Sequence, residues 1–390
     1  MVVISNDLSF RGSCRRSGWP DKLGRQPWRL YRAIPDRIFK RDDRIFRTFM
    51  DYNIGNGFGI RHNDADTQRK GTAILSSNRQ HKKETENGDG FLEVKYTLLR
   101  LFFLVMGMVP PWARKWLSWL LGRTAYIVDR EHRTIVIDNL TRVFGDIKTG
   151  KEIRALARRV FCNTALMLFE IGWFTRLGPS DIPKHFRITG FEHFKKALSK
   201  GRGVFALTAH IGNWELLPVA PAMGIENAAF VYRPLDKKVL DLFFGRQRTK
   251  FGAKMIPSKK AMFKIIRNVT RGGCVLLLMD QNVDWYEGVF VEFFGHYACT
   301  NKGLALMAMK TKTPVVPMFL VRDGKGYNII FEDEIPLAET GDRTKDIEEN
   351  TRRYNKAIES IILRYPDQWF WLHQRWKTRP FCNIADNPWR

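Results

Sequence analysis

Apolar spacing changes several times along this chain of 390 residues, and each change marks a boundary. Residues 52–90 show little apolar periodicity and many turn formers, as in a linker or disordered segment. Residues 28–50 hold a short basic-aromatic stretch compatible with helix, and 1–90 as a whole reads as an extension outside the fold. The most apolar window is Thr97–Val109, TLLRLFFLVMGMV, which contains Arg100 and stops at Pro110–Pro111. It is shorter than the roughly 20 residues that cross a bilayer. The next run, WARKWLSWLLGR, mixes Trp112, Trp116 and Trp119 with Arg114, Lys115 and Arg123, the chemistry of a membrane interface. Segment 91–125 therefore reads as a membrane-associated helical hairpin lying in or on a bilayer. The alternative is a buried core helix followed by an amphipathic one.

Residues 130–175 read as helical throughout, with Leu140, Val143, Ile153, Leu156, Val160, Leu166 and Phe169 at helical spacing. From Gly203 short apolar runs alternate with helical patterns. Strands are expected at 203–210, 227–234, 272–280, 314–322 and 326–335. Helices are expected at 258–271, with Ser258 as N-cap, at 300–312, and at 346–366, where Pro366 stops the last. QWFWLHQRWK, 368–377, reads as a final aromatic strand or extended segment. This alternation predicts an α/β fold in which a central mixed β-sheet is flanked by helices and strand ends supply the site. The domain spans 126–380, followed by a tail at 381–390. No internal repeat is visible.

Charge widens the functional choice before narrowing it. The 65 Lys+Arg against 40 Asp+Glu give +25, so an anionic partner is expected: nucleic acid, a membrane face, or an acidic protein or substrate. Residues 1–90 carry a net +7, which leaves +18 to the rest. No nucleic-acid module is recognisable, so nucleic-acid binding is only a remote alternative. The five cysteines, Cys14, Cys162, Cys274, Cys299 and Cys382, have no metal or redox spacing. With no signal-peptide h-region near the N-terminus, they favour a reducing compartment.

Candidate chemistry centres on TAHIGNWELL, Thr208–Leu217. His210 and Glu215 flank four residues where an apolar strand meets a short helix. Gly212 permits a tight backbone there, and Asn213 is placed to cap the helix. A carboxylate that accepts the imidazole N–H fixes the tautomer and makes the other nitrogen more basic, so that it can take a proton from an alcohol. Chance, or a structural histidine, explains a lone His-x4-Glu as readily. No zinc set, G-x-S-x-G elbow or P-loop is present.

HIGNWE resembles the H-x4-D/E motif of the lysophospholipid acyltransferase superfamily. VYRPLD (231–236), LLMDQN (277–282), VFVEFFGHYACTNKGLALMAMKTKTPVVP (289–317), Arg322 and DQWFWLHQRWKTRP (367–380) narrow the resemblance to its lipid A biosynthesis late acyltransferases, which add lauroyl or myristoyl chains. The resemblance spans about residues 91–380, and Asn139–Leu140 sits in its early helical region. Lys237–Lys238 and Asn301–Lys302 depart from the family pattern. The resemblance implies a single acyltransferase domain that moves a fatty acyl chain from acyl carrier protein to a hydroxyl of a Kdo-bearing lipid A precursor.

In that reading His210 is the general base and Glu215 its orienting partner. No acyl-enzyme, cofactor or metal is required, and backbone N–H groups near Gly212 are candidate oxyanion donors. Asn213, Arg233, Asp280, Gln281 and Arg322 are the candidate substrate contacts. The two arginines are expected to clamp a phosphate or carboxylate together. Thr300 and Gly303 are assigned to packing or capping at a helix start, Cys299 to the core, and the aromatic cluster around His373 to an interface or head-group surface. The implied location is the cytoplasmic face of the inner membrane. The basic charge then serves the bilayer, the phosphorylated acceptor and the acidic carrier. Another glycolipid or lysophospholipid acceptor, or acyl-CoA as donor, is the alternative within the superfamily.

Overall fold

A computed structural model describes residues 92–380 apart from Lys260 and Lys325. The expectations for 1–90 and 381–390 lie outside the described residues. Nine strands occur among those described: β1 Phe186–Thr189, β2 Val204–Thr208, β3 Ala228–Tyr232, β4 Lys254–Pro257, β5 Cys274–Leu278, β6 Gly288–Phe293, β7 His296–Asn301, β8 Val315–Asp323 and β9 Gly326–Phe331. Seven form one sheet in the order β1-β9-β8-β2-β5-β3-β4. β8, β2, β5, β3 and β4 run parallel, while β9 is antiparallel to β8 and parallel to β1. The sheet is therefore mixed, and the α/β expectation holds.

β2 shows why its run is continuously apolar. Every residue in it is buried. Phe205 and Leu207 enter the core on one face of the sheet, and Val204 and Ala206 the core on the other. A strand covered on both faces loses the hydrophobic-polar alternation. The β6–β7 hairpin is separate and turns at Phe294 and Gly295, both at positive φ. Hydrophobic spacing alone does not reveal it, nor β1 and β4, although an alternating run ending in Gly is a hairpin signal.

Among the described residues the α-helices of eight residues or more are α1 (92–108), α2 Pro111–Val128, α3 Arg130–Phe144, α4 Gly150–Phe174, α5 Phe191–Leu198, α6 Lys238–Thr249, α7 Met262–Val269, α8 Gly303–Thr311 and α9 Arg343–Arg364. The single helix expected over 130–175 is two. α3 ends at Phe144, and α4 restarts behind Thr149, whose side chain and Glu152 form a reciprocal capping box. Ser258 is not the N-cap of α7; Ala261 holds that position without a side-chain cap.

α1 and α2 are not buried core helices. Leu98, Phe102, Val105 and Met108 on α1 are exposed, as are Trp112, Trp116 and Trp119 on α2. What α1 buries is narrow: Tyr96, Phe103 and Gly107. Gly107 crosses α4 at Gly172 so closely that a Cβ on either would meet backbone of the other helix within 3 Å. Among the described residues, no helix is long and apolar enough to cross a membrane.

The aromatic block 368–377 is not a strand, and only Gln374 and Lys377 of it are exposed. Among the described residues its only ladder contact is a bridge between Trp369 and Ile211. Trp369, Trp371 and Arg375 are fully buried. Asn139 of α3 ties the segment down by donating to the carbonyls of Trp371 and His373, each at 2.9 Å. Trp with Lys and Arg serves a core and a membrane surface equally well as composition, and only burial separates them.

Candidate active site

The parallel register of β2 and β5 creates the site. Thr208 lies opposite Leu278, so His210 and Asp280, each two residues further on, leave the sheet together. Asp280 is fully buried, and it accepts from the His210 backbone N–H at 2.9 Å and from the indole N–H of Trp369 at 2.7 Å, both on Oδ2. Its Oδ1 lies 2.8 Å from Nδ1 of His210. Burial acts to raise this carboxyl, but the attraction and hydrogen bonds of His210 outweigh it and hold Asp280 well below the usual carboxylate range. An ionised carboxylate only accepts, so Nδ1 carries the proton and Nε2 offers its lone pair. The His210 side chain keeps 18% exposure, whereas Asp280 behind it has none.

The carboxylate facing the imidazole is thus Asp280, not Glu215. Gly212 stands at φ +63° with its Cα against Leu320, and there the chain turns into a 3₁₀ segment, Trp214–Met223. The ring of Trp214, not the side chain of Glu215, packs against His210, with centroids 4.9 Å apart. Glu215 instead accepts two bonds from Arg248 of α6, at 2.8 Å from Nε and 2.6 Å from Nη2. Burial acts against the Arg248 charge, but the Glu215 bonds and charge prevail and raise its pKa. Tyr232 and Phe244 lie under the same guanidinium.

Other expected contacts separate. Asn213 is fully buried and caps nothing; it donates to Glu170 at 2.9 Å. Arg322 donates Nε and Nη2 to the same Glu170, at 2.6 and 2.7 Å. Gln368 brackets Arg322 further, accepting from its N–H at 2.8 Å and donating to its carbonyl at 3.0 Å. Glu170, which sequence reasoning did not single out, therefore holds Arg322 and Asn213 inside the fold. The shared arginine clamp does not form. Arg233, just beyond β3, is exposed, and so is Gln281 beside Asp280. Nor does the Gly212 N–H serve an oxyanion, since it is donated to the Gln368 carbonyl at 3.0 Å.

Cys299 is a core residue as expected, while Thr300 lies at the end of β7 rather than at the start of a helix; it is fully buried and accepts from Arg375. Among the described residues, no group of three or more His, Cys, Asp or Glu is arranged to hold a metal ion. The arrangement can extract a proton from a hydroxyl at Nε2 of His210 and leave the resulting imidazolium stabilised by Asp280.

The chain matches the family described as bacterial lipid A biosynthesis acyltransferase over residues 90–378. It is 27% identical over 281 residues to a lipid A biosynthesis acyltransferase of Haemophilus influenzae, covering 71% of this chain and 86% of the relative. It is 28% identical over 266 residues to the lipid A biosynthesis lauroyltransferase of Escherichia coli K12, covering 67% and 84%. The palmitoleoyltransferase of the same strain is 25% identical over 264 residues, covering 67% and 83%.

Proposed function

Since this chain belongs to the bacterial lipid A biosynthesis acyltransferase family and is an O-acyltransferase of lipid A biosynthesis, we propose that it transfers a fatty acyl chain from acyl carrier protein to a hydroxyl of a Kdo-bearing lipid A precursor. The observation that carries the mechanism is the contact between Nδ1 of His210 and Asp280. With Nδ1–H given to Asp280, Nε2 takes the proton of the acceptor hydroxyl as its oxygen attacks the thioester carbonyl. The tetrahedral intermediate collapses, the C–S bond breaks, and the proton returns from Nε2 to the thiolate of the carrier. No acyl-enzyme forms, because the acceptor oxygen is itself the nucleophile.

Glu215 has an indirect role in this reading: standing one residue beyond the Trp214 that packs on the base, it fixes Arg248, a mostly buried cation. Arg233 and Gln281, exposed at the ends of β3 and β5, are the contacts left for the phosphorylated acceptor. The exposed apolar faces of α1 and α2 support attachment to the membrane that holds this acceptor, on its cytoplasmic side.

Mass spectrometry of lipid A from a strain lacking the gene tests this reading. One acyl chain should be missing, restored by the wild-type gene and not by a His210→Ala variant. An unchanged acylation pattern in a strain with no second such enzyme overturns it. Transfer in vitro to a lysophospholipid, and not to a Kdo-bearing acceptor, would assign another substrate.

A further inference from the structure

The most lopsided charge in the described fold lies beside the site. From Arg233 to Arg271 the chain has 12 Lys+Arg and 2 Asp+Glu. One of the two acids, Asp241, is occupied in bracing the loop, accepting the Leu235 N–H at 3.0 Å. Lys237, Lys238, Lys259, Lys264 and Arg267 are all exposed. The ion pairs of this stretch are Arg246 with Glu93 and Arg248 with Glu215, and among the described residues these five side chains enter none.

Topology decides where the charge sits. β2, β5, β3 and β4 are parallel neighbours in that order. The loops after them share one edge of the sheet: His210 after β2, Asp280 after β5, Lys237 and Lys238 after β3, and Lys259 after β4. At about 4.8 Å per strand, β3 and β4 end roughly 10 and 14 Å to the side of β2. α6 continues from the β3 loop and packs on the 3₁₀ segment, whereas α7, with Lys264 and Arg267, buries Ile265 and Val269 in the core of the opposite face. The basic belt thus turns the corner of the sheet at its edge strand. Leu235, Met262 and Phe263 are exposed within it.

We propose that this belt docks the acidic protein that carries the acyl thioester, so that its prosthetic arm enters toward His210 from the β3–β4 side. The inference rests on the proposed carrier-bound donor. A curved surface with unpaired cations around a few apolar contacts fits a folded acidic partner. A flat bilayer would engage only one side of it, and the exposed apolar side chains of α1 and α2 already provide a membrane face.

The test is acyl transfer by the full chain in mixed micelles, with the same acyl group presented on carrier protein and on pantetheine. Two charge reversals are compared with wild type: Lys237→Glu with Lys238→Glu, and Lys259→Glu with Lys264→Glu. Each should raise KM for the carrier thioester about tenfold or more and flatten its salt dependence, with rates on the pantetheine thioester unchanged. An unchanged KM for the carrier thioester overturns docking at this belt. So does an equal loss with both donors, or a loss only of binding to anionic vesicles. If wild type prefers CoA or pantetheine thioesters to the carrier, the donor reading itself fails, and the docking proposal falls with it.

Discussion

The indole nitrogen of Trp369 stands 2.7 Å from Oδ2 of Asp280, and the other oxygen of that carboxylate holds Nδ1 of His210. The C-terminal block thereby fixes the base from behind, through a carboxylate with no access to solvent. Trp369→Phe keeps an aromatic ring but deletes the donor, together with part of the ring volume that packs on Phe293, Trp371 and His373. A hydrogen bond to a charged group is worth about 1.5–3 kcal/mol, so the variant should unfold at lower denaturant and lose turnover more than substrate affinity. Denaturation midpoints together with kcat and KM check this; an unchanged kcat would leave Trp369 with packing alone.

Asp280→Asn should cut kcat by about 10²–10⁴-fold. The amide can donate to Nδ1, which turns the ring to the tautomer whose Nε2 carries a proton. KM should change much less. Steady-state kinetics on detergent-solubilised enzyme measures both, and retention of near-wild-type kcat would exclude Asp280 from the base.

Glu215 and Arg248 should behave as one unit. Each single alanine variant strips the other side chain of its partner in a site about 15% exposed. The double variant should therefore cost less than the sum of the singles, with a coupling of about 0.5–3 kcal/mol. Strict additivity in a double-mutant cycle on kcat/KM would show that Glu215 acts independently of Arg248.

Gly212→Ala should be destabilising by more than about 1 kcal/mol, because φ is +63° and a Cβ would stand 2.2 Å from the Leu320 carbonyl oxygen. The loop carrying His210 would have to move away from β8. Thermal unfolding and activity should fall together, in contrast to Asp280→Asn, where activity falls further.

His373 should set an acid limb of stability. Burial pushes its imidazole down to about 4, with the nearby Asp280 charge only partly opposing this. Nδ1 faces the Phe370 carbonyl, and buried Nε2 has no hydrogen-bond partner among the described residues, so protonation there is disfavoured. The unfolded imidazole titrates near about 6.5. Between these values the unfolded chain binds more protons, so this contribution is full above about 6.5 and is lost as pH falls through about 4. The slope is at most about 1.4 kcal/mol per pH unit. Urea unfolding across that window, compared with His373→Leu, checks it: the variant should show a flatter dependence.

Much of the scaffold was legible because burial on both faces writes itself into composition. β2, β5 and β8 are continuous apolar runs, and His210 follows one of them. The shorter β1 and β4 escaped notice, since four residues carry too little pattern. At the site, Asp280 was visible as a residue beyond a buried strand, but its partner was not. The signal available was positional: His210 and Asp280 are each the second residue after a parallel strand.

The sequence by itself determined that an α/β sheet would present His210 at a strand end in a basic, acyltransferase-like context, because apolar periodicity and motif spacing are local properties. Only the tertiary structure decided which carboxylate meets the imidazole. Strand order and register bring together residues 70 apart, while the turn at Gly212 and the pull of Arg248 take Glu215 away from a histidine five positions before it. Side-chain partnership depends on direction and burial, and linear spacing encodes neither.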